Sequence, residues 1–188
     1  MNQLLPPQVK RSSFAPETKL NEENQRFLGF SIGDQLNALI PLVDLRATIK
    51  ISRSEILPVP QMQDSLLGII NYGGKATWVV DLAHLMGAPH YQQETSAQSA
   101  GMGMLFEVQN EMVALLVQKI STIETYNLQQ CLSIGDAMFP DRMRMFLAGY
   151  FIDNLQQPWV VVDLQRAIDS LAQPLGTRMI WRVGDQYN

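Results

Sequence analysis

This sequence predicts an all-β, two-lobed fold, and three observations carry that reading. The first is a repeat. Leu67-Gly68-Ile69-Ile70, a turn, and Trp78-Val79-Val80-Asp81-Leu82 return in altered form as Ala148-Gly149-Tyr150-Phe151, a turn, and Trp159-Val160-Val161-Val162-Asp163-Leu164. Each copy reads as a strand opening at a glycine, a polar turn, and a Trp-led β-branched strand ending in Asp-Leu. The second is apolar alternation at period two outside the repeat, as in Leu28, Phe30, Ile32 and Met102, Met104, Phe106, Val108. The third is that helix-forming stretches are short and follow the two Asp-Leu pairs. A spacing of about eighty residues between copies gives each module room for a small core of its own.

The elements follow in order. Residues 1–25 hold Pro6, Pro7 and Pro16 with a polar run and no sustained apolar period. They are expected to form a flexible tail, with a short helical turn over Glu17 to Gln25. Leu28 to Ile32 reads as a strand, Gly33-Asp34 as a turn, and Ala38 and Ile40 resume the alternation. Val43 to Ile51 is apolar at alternate positions, and Gln61 to Ser65 fits a helical turn. Leu66 to Asn71 and Ala76 to Val80 predict a hairpin around Tyr72-Gly73-Gly74-Lys75, since Gly-Gly takes the positive φ that tight turns require. Asp81 then caps a helix over Leu82 to Met86, stopped by Gly87.

Ala88 to Gly101 is rich in Pro, Gln and Ser and marks the expected boundary between lobes. Two alternating runs open the second lobe around the turn Gln109-Asn110-Glu111. Ile120 to Leu132 is mixed, Ser133 to Arg144 reads as a loop, and Asp163 caps a helix over Leu164 to Ala172. Met179, Trp181 and Val183 alternate near the end. The organisation is therefore a tail (1–25), a two-lobed domain (26–174) and an extension (175–188).

Composition narrows the function. Hydrophobic residues make up 46%, enough for a core, while charged residues are only 17%. Soluble domains usually carry about a quarter, so part of this surface is expected to be covered by other proteins. A net charge of -4 and a pI near 5.1 give no electrostatic footprint for nucleic acid. One cysteine, Cys131, excludes an internal disulfide and fits a reducing compartment. No apolar run reaches the ~20 residues of a membrane span, and the start of the chain lacks a signal-peptide layout. A cytoplasmic location without membrane insertion is expected.

No catalytic constellation emerges. Asp81 and Asp163 are a carboxylate pair of the kind that performs acid–base work, yet each sits between a strand and a helix, where capping explains it. His84 and His90 stand at a spacing unsuited to one helix face, and no Cys or acidic cluster joins them, so neither a metal nor a cofactor is expected. Cys131 has no basic neighbour to activate it. Gly73-Gly74-Lys75 does not meet the phosphate-loop pattern. Met138, Phe139, Met143 and Met145 form a candidate apolar interaction patch. By themselves the residues leave open a small-ligand-binding β-barrel and a hydrolase, the latter lacking a nucleophile–base pair.

One family resembles this chain closely. Leu67-Gly68-Ile69-Ile70-Asn71-Tyr72-Gly73-Gly74-Lys75 through Val79-Val80-Asp81-Leu82 looks like the "G-V-I-N-L-R-G … P-V-V-D-L" signature of CheW, the chemotaxis adaptor. Pro58-Val59-Pro60 resembles its "P-V-P" approach, and Val113 to Ile120 is similar to its "V-G-L-L-V-D-x-V" strand. Leu147-Ala148-Gly149 with Val162-Asp163-Leu164 resembles its closing unit, and the likeness covers residues 26–172. It implies two intertwined five-stranded, SH3-like β-barrels with short capping helices. It implies a non-enzymatic adaptor joining the regulatory domain of a CheA-type histidine kinase to methyl-accepting chemoreceptors. The Gln-rich character and tail are similar to cyanobacterial members serving pilus-based motility or phototaxis.

The resemblance also implies a receptor site in the groove between the lobes, at Gly68, Asn71, Tyr72, Gly73 and Gly74 with Arg46 and Ala47 facing them. Three departures stand out. The family's Arg is Gly73, its partner acid aligns with Ala47, and Gln118 replaces an Asp. Losing both charges together avoids an uncompensated one. The tail, with spaced Leu4, Leu5, Phe14 and Leu20, is expected to dock on the lobes or recruit a further partner such as a response regulator.

Overall fold

The computed structural model of the chain describes residues 23–33, 36–88, 100–108 and 110–172. The first half runs β1 (Asn24–Ile32), β2 (Leu36–Pro41), β3 (Ala47–Ser52), β4 (Leu66–Tyr72), β5 (Lys75–Asp81) and α1 (Leu82–Leu85). The second runs β6 (Ala100–Val108), β7 (Glu111–Val117), β8 (Ile120–Asn127), α2 (Asp141–Arg144), β9 (Leu147–Ile152), β10 (Pro158–Val162) and α3 (Leu164–Ala172). The strands form two five-stranded sheets, ordered β8-β1-β2-β10-β9 and β3-β6-β7-β5-β4. We call the first barrel A and the second barrel B.

Each barrel takes its first hairpin from one half of the chain and its other three strands from the other half. The halves meet along two parallel seams, β2 with β10 and β5 with β7. Two antiparallel seams, β1 with β8 and β3 with β6, complete the exchange. This corrects the expectation of sequential lobes with separate cores: Ala88 to Gly101 separates two halves that are each split between both barrels.

The arrangement explains the burial. Leu28, Phe30, Ala38, Ile40, Val160 and Val162 face a central core shared with Val80, Met104, Phe106 and Leu115 of barrel B. The opposite faces fill the barrels themselves: Phe27, Leu39, Phe151 and Val161 in barrel A, and Ile51, Ile70, Val79, Leu105 and Ala114 in barrel B. Central strands are thus apolar on both faces, as buried sheets require. Barrel A closes where Tyr126 of β8 stacks on Phe151 of β9, ring centroids 4.5 Å apart.

The repeat is visible in three dimensions, with one revision. In both copies a glycine sits at a register shift where the next strand skips a partner, Leu67 in one and Ala148 in the other. The chain crosses over that glycine: Leu57 exchanges backbone hydrogen bonds with Ile69 (2.8 and 2.9 Å), and Leu132 does so with Tyr150 (2.8 and 2.9 Å). Gly68 pairs with Val79 and Gly149 with Val161, so the two tryptophans are not equivalent. The extra valine of the second copy moves Trp159 one residue along. It joins the interior of barrel A, whereas Trp78 packs on the central core. A shift of one residue in a strand exchanges its faces.

Other expectations meet mixed outcomes. Asp81 and Asp163 do cap α1 and α3: their Oδ1 atoms accept from the N–H of His84 and Arg166, both at 3.0 Å. Asn24 and Gln25 belong to β1, so the expected tail and its helical turn do not extend to them, and the rest of that turn, residues 17–22, lies outside the described residues. Val43 is 77% exposed in a 3-10 turn, because β3 starts only at Ala47. Gln61 to Ser65 holds non-helical turns, with Gln61 at a φ of 62°. Ile120 to Asn127 is a full strand, its outer face too polar to show a period, and α2 lies inside the stretch expected as loop. Asp34, His90, Gln109 and residues 173–188 lie outside the described residues.

A glycine substitution separates backbone conformation from crowding. Gly68 has a φ of 141°, and a Cβ there would run into the carbonyl of Leu57. Gly73 has a φ of 58° but faces open space. In guanidinium titrations, Gly68→Ala is expected to cost about 2–4 kcal/mol and Gly73→Ala only about 1 kcal/mol.

Candidate interaction surfaces

The hairpin tip of barrel B is built by a two-residue turn. Gly73 and Gly74 both take positive φ (58° and 83°), and Asn71 Oδ1 accepts the Gly74 N–H at 2.9 Å. The register Tyr72 opposite Lys75 leaves no slack. Tyr72 is half-buried and packs with Ala47 and Met112 on the small core of barrel B. Beside it, Arg46 pairs with Glu107 at 3.2 Å, both largely exposed. Such a pair contributes little to stability, but it supplies Arg46 with a partner other than the residue at 47. The structure therefore gathers Arg46, Ala47, Asn71, Tyr72, Gly73 and Gly74 at one end of barrel B. Gly68 stands apart, under the Leu57 crossing, with a conformational job.

The groove between the two sheets lies at the opposite end of barrel B. It encloses about 320 Å³, with Ile32, Ile51, Ile56, Leu67 and Leu116 among its apolar lining and Arg53, Asp64 and Gln118 among its polar residues. None of the seven residues expected to line a receptor groove lines this one. Gln118 does, and its departure from the family motif was the one sequence signal pointing there. Ile32, Ile51 and Arg53 carry no motif, because a groove shared by two sheets draws one or two residues from many elements.

The methionine patch divides. Met138 and Met145 are 44% and 54% exposed, while Phe139 and Met143 pack on the central core. The cations nearby are engaged. Arg144 binds Asp136 at 2.9 Å and Asp141 at 2.6 Å, and Arg142 donates to the His84 carbonyl at 3.3 Å, hooking α2 to α1. A second set of exposed apolar side chains belongs to β8, β9 and the segments attached to them: Ile123, Leu128, Leu132, Ile152 and Leu155. Sequence reasoning passed over these, since isolated apolar residues in a mixed stretch carry no pattern.

Among the described residues the titratable groups show no reactive assembly. Burial pushes the Cys131 thiol up, against a hydrogen bond from the Tyr150 backbone, which keeps it a neutral thiol. Burial first, then Glu124 and Asp153, raise the Tyr126 phenol. Asp153 is held below the usual carboxylate range, chiefly by the Gln157 N–H and next by the Trp159 indole N–H at 3.0 Å. It orders the β9–β10 loop, accepting from Leu155 and Gln157 at 2.8 Å each. Among the described residues no cluster suited to a metal occurs, and no helix is long and apolar enough to cross a membrane.

Asp153 gives a pH dependence. Its folded pKa lies below its unfolded one, so its contribution is complete above about pH 4 and fades as pH falls through the folded value. Asp153→Asn is expected to flatten the acid limb of the stability–pH curve below about pH 4 and to leave the neutral-to-basic limb parallel to wild type, read by thermal melts across pH.

The CheW-like domain family matches residues 26–172. Among solved structures, the scaffolding protein TtCheW from Thermoanaerobacter tengcongensis superposes with a TM-score of 0.65 at 17% identity, over 83% of this chain and 97% of that one. At that identity the likeness speaks to fold alone. No curated protein matches the sequence.

Proposed function

The chain belongs to the CheW-like domain family, a family of scaffolding adaptors in chemotaxis signalling, and from that premise we propose that it couples a CheA-type histidine kinase to chemoreceptors. The observation that carries the reading is a pair of barrels joined through one central core, with two differently finished ends and no reactive constellation among the described residues. The interiors of both barrels are filled by their own side chains, so neither barrel encloses a ligand cavity of its own, and the groove of about 320 Å³ lies between the two sheets.

The kinase's regulatory domain docks on barrel A, where Ile123, Ile152 and Leu155 offer the apolar centre that interface cores require. The receptor's helical hairpin engages barrel B, with Tyr72 as the aromatic anchor at the end that also holds Arg46, Ala47, Asn71, Gly73 and Gly74. The adaptor serves chemotaxis, phototaxis or pilus-based motility according to the receptor it meets. A response regulator recruited through residues 1–22 is the further partner proposed for the segment outside the described residues.

Two measurements test this. Leu155→Asp and Ile152→Asp place a charge at exposed positions and are expected to weaken kinase binding at least about tenfold with little change in melting temperature. Equal retention of this protein by a kinase lacking its regulatory domain would refute the assignment. For the receptor, Tyr72→Ala is expected to lose more than about 1 kcal/mol of binding and about 1–2 kcal/mol of stability, because the ring is half-buried. Tyr72→Phe should keep the stability. Receptor affinity unchanged in both variants would place the contact elsewhere, with the groove at Gln118 the next candidate.

A further inference from the structure

We propose that two copies of this chain exchange halves to form a closed dimer in which each barrel is completed by strands of the other copy. Every strand contact that joins the halves, β1 with β8, β2 with β10, β3 with β6 and β5 with β7, is a contact between residues 24–85 and residues 100–172. The only covalent tie between those halves is the stretch 86–99. A second copy therefore offers the identical seams, residue for residue: Arg26 opposite Thr125, Ala38 beside Val160, Val79 beside Ala114. No contact inside either barrel or the central core changes in the exchanged form, which is the condition for low-cost swapping.

The neighbouring positions of the ends keep the one-chain form ahead. Ala83 of α1 and Ala100 at the start of β6 line the same groove, and the Ala88 N–H bonds back to the Ala83 carbonyl at 2.9 Å. Both ends stay joined through one chain, so docking within it proceeds at an effective concentration on the order of 1 mM. At ~100 µM chain, a second copy competes for roughly a tenth of folding events. An exchanged dimer carries every docking surface twice, which for a scaffold means bivalent engagement of its partners; this consequence rests on the adaptor reading, while the exchange itself does not.

Two single-cysteine chains test the exchange. One carries Arg26→Cys and the other Thr125→Cys, both exposed positions that face each other across the β1–β8 seam, and both carry Cys131→Ser. Neither can close a seam disulfide within itself. Refolded together from denaturant at ~100 µM and oxidised, they are expected to give a covalent mixed dimer at least about tenfold above that from the same chains mixed after folding, growing with concentration. No excess over the pre-folded mixture overturns the proposal. The unsubstituted chain supplies a second readout should the variants refold poorly: light scattering after refolding at ~100 µM is expected to show a dimer that persists on dilution, and monomer alone at every concentration overturns the exchange.

Discussion

The parallel seams between β2 and β10 and between β5 and β7 are the constraint on which the rest of this structure depends. A parallel pair needs a crossover, which here runs through β3 to β9 between β2 and β10, and through α1, residues 86–99 and β6 between β5 and β7. Because each seam places one half's hairpin in the middle of a sheet finished by the other half, neither barrel exists until both halves are in place. Leu39, Ala38 and Ile40 are all wholly buried, a pattern that an edge or one-faced strand does not produce. The two barrels then share one central core, so loosening one exposes the apolar backs of the other.

From that constraint the punctuation of the sequence follows. Each half must turn out of its last strand and cover the central core, and Asp-Leu does both: the carboxylate caps a helix, and Leu82, Leu85, Ala167 and Leu171 pack inward. Gly68 and Gly149 let a crossing segment lie against the strand at the register shift. Next to Gly149 a Cβ would meet the Cys131 sulfur and the Leu132 carbonyl, which repeats the crowding of Gly68 by Leu57. The glycines are fixed by backbone approach, and their place in a binding motif follows from what the hairpin then presents.

This accounts for what the sequence made legible. Strand identity, the Gly-Gly turn and both helix caps depend on residues near one another in the chain, and each was readable. The resemblance to CheW supplied the intertwining, which no local pattern could, since Ala88 to Gly101 looks like a linker whether or not strands cross it. Ile120 to Asn127 was missed because β8 has one polar face and a register irregularity opposite Leu28 and Phe30. Most of the expected receptor residues do come together around Tyr72, held by the two-residue turn and the packing of Ala47. The groove is different: it exists only once the β1–β2 turn of barrel A reaches the far end of barrel B, so its lining is spread from Ser31 to Gln118.

The halves share a plan, yet the barrels they build are not alike. Barrel A has Phe151, Leu39 and Trp159 at the positions where barrel B has Ile70, Ala114 and Thr77. The larger side chains give barrel A an aromatic interior, and the longer loop after β9, ordered by Asp153, lifts Leu155 to 78% exposure. Barrel B keeps the tight Gly-Gly turn and leaves the Tyr72 ring at its rim. One inserted valine before Asp163 sends Trp159 inward and separates the two ends in shape without disturbing the seams. A duplicated fold can in this way present two unlike surfaces across one shared core.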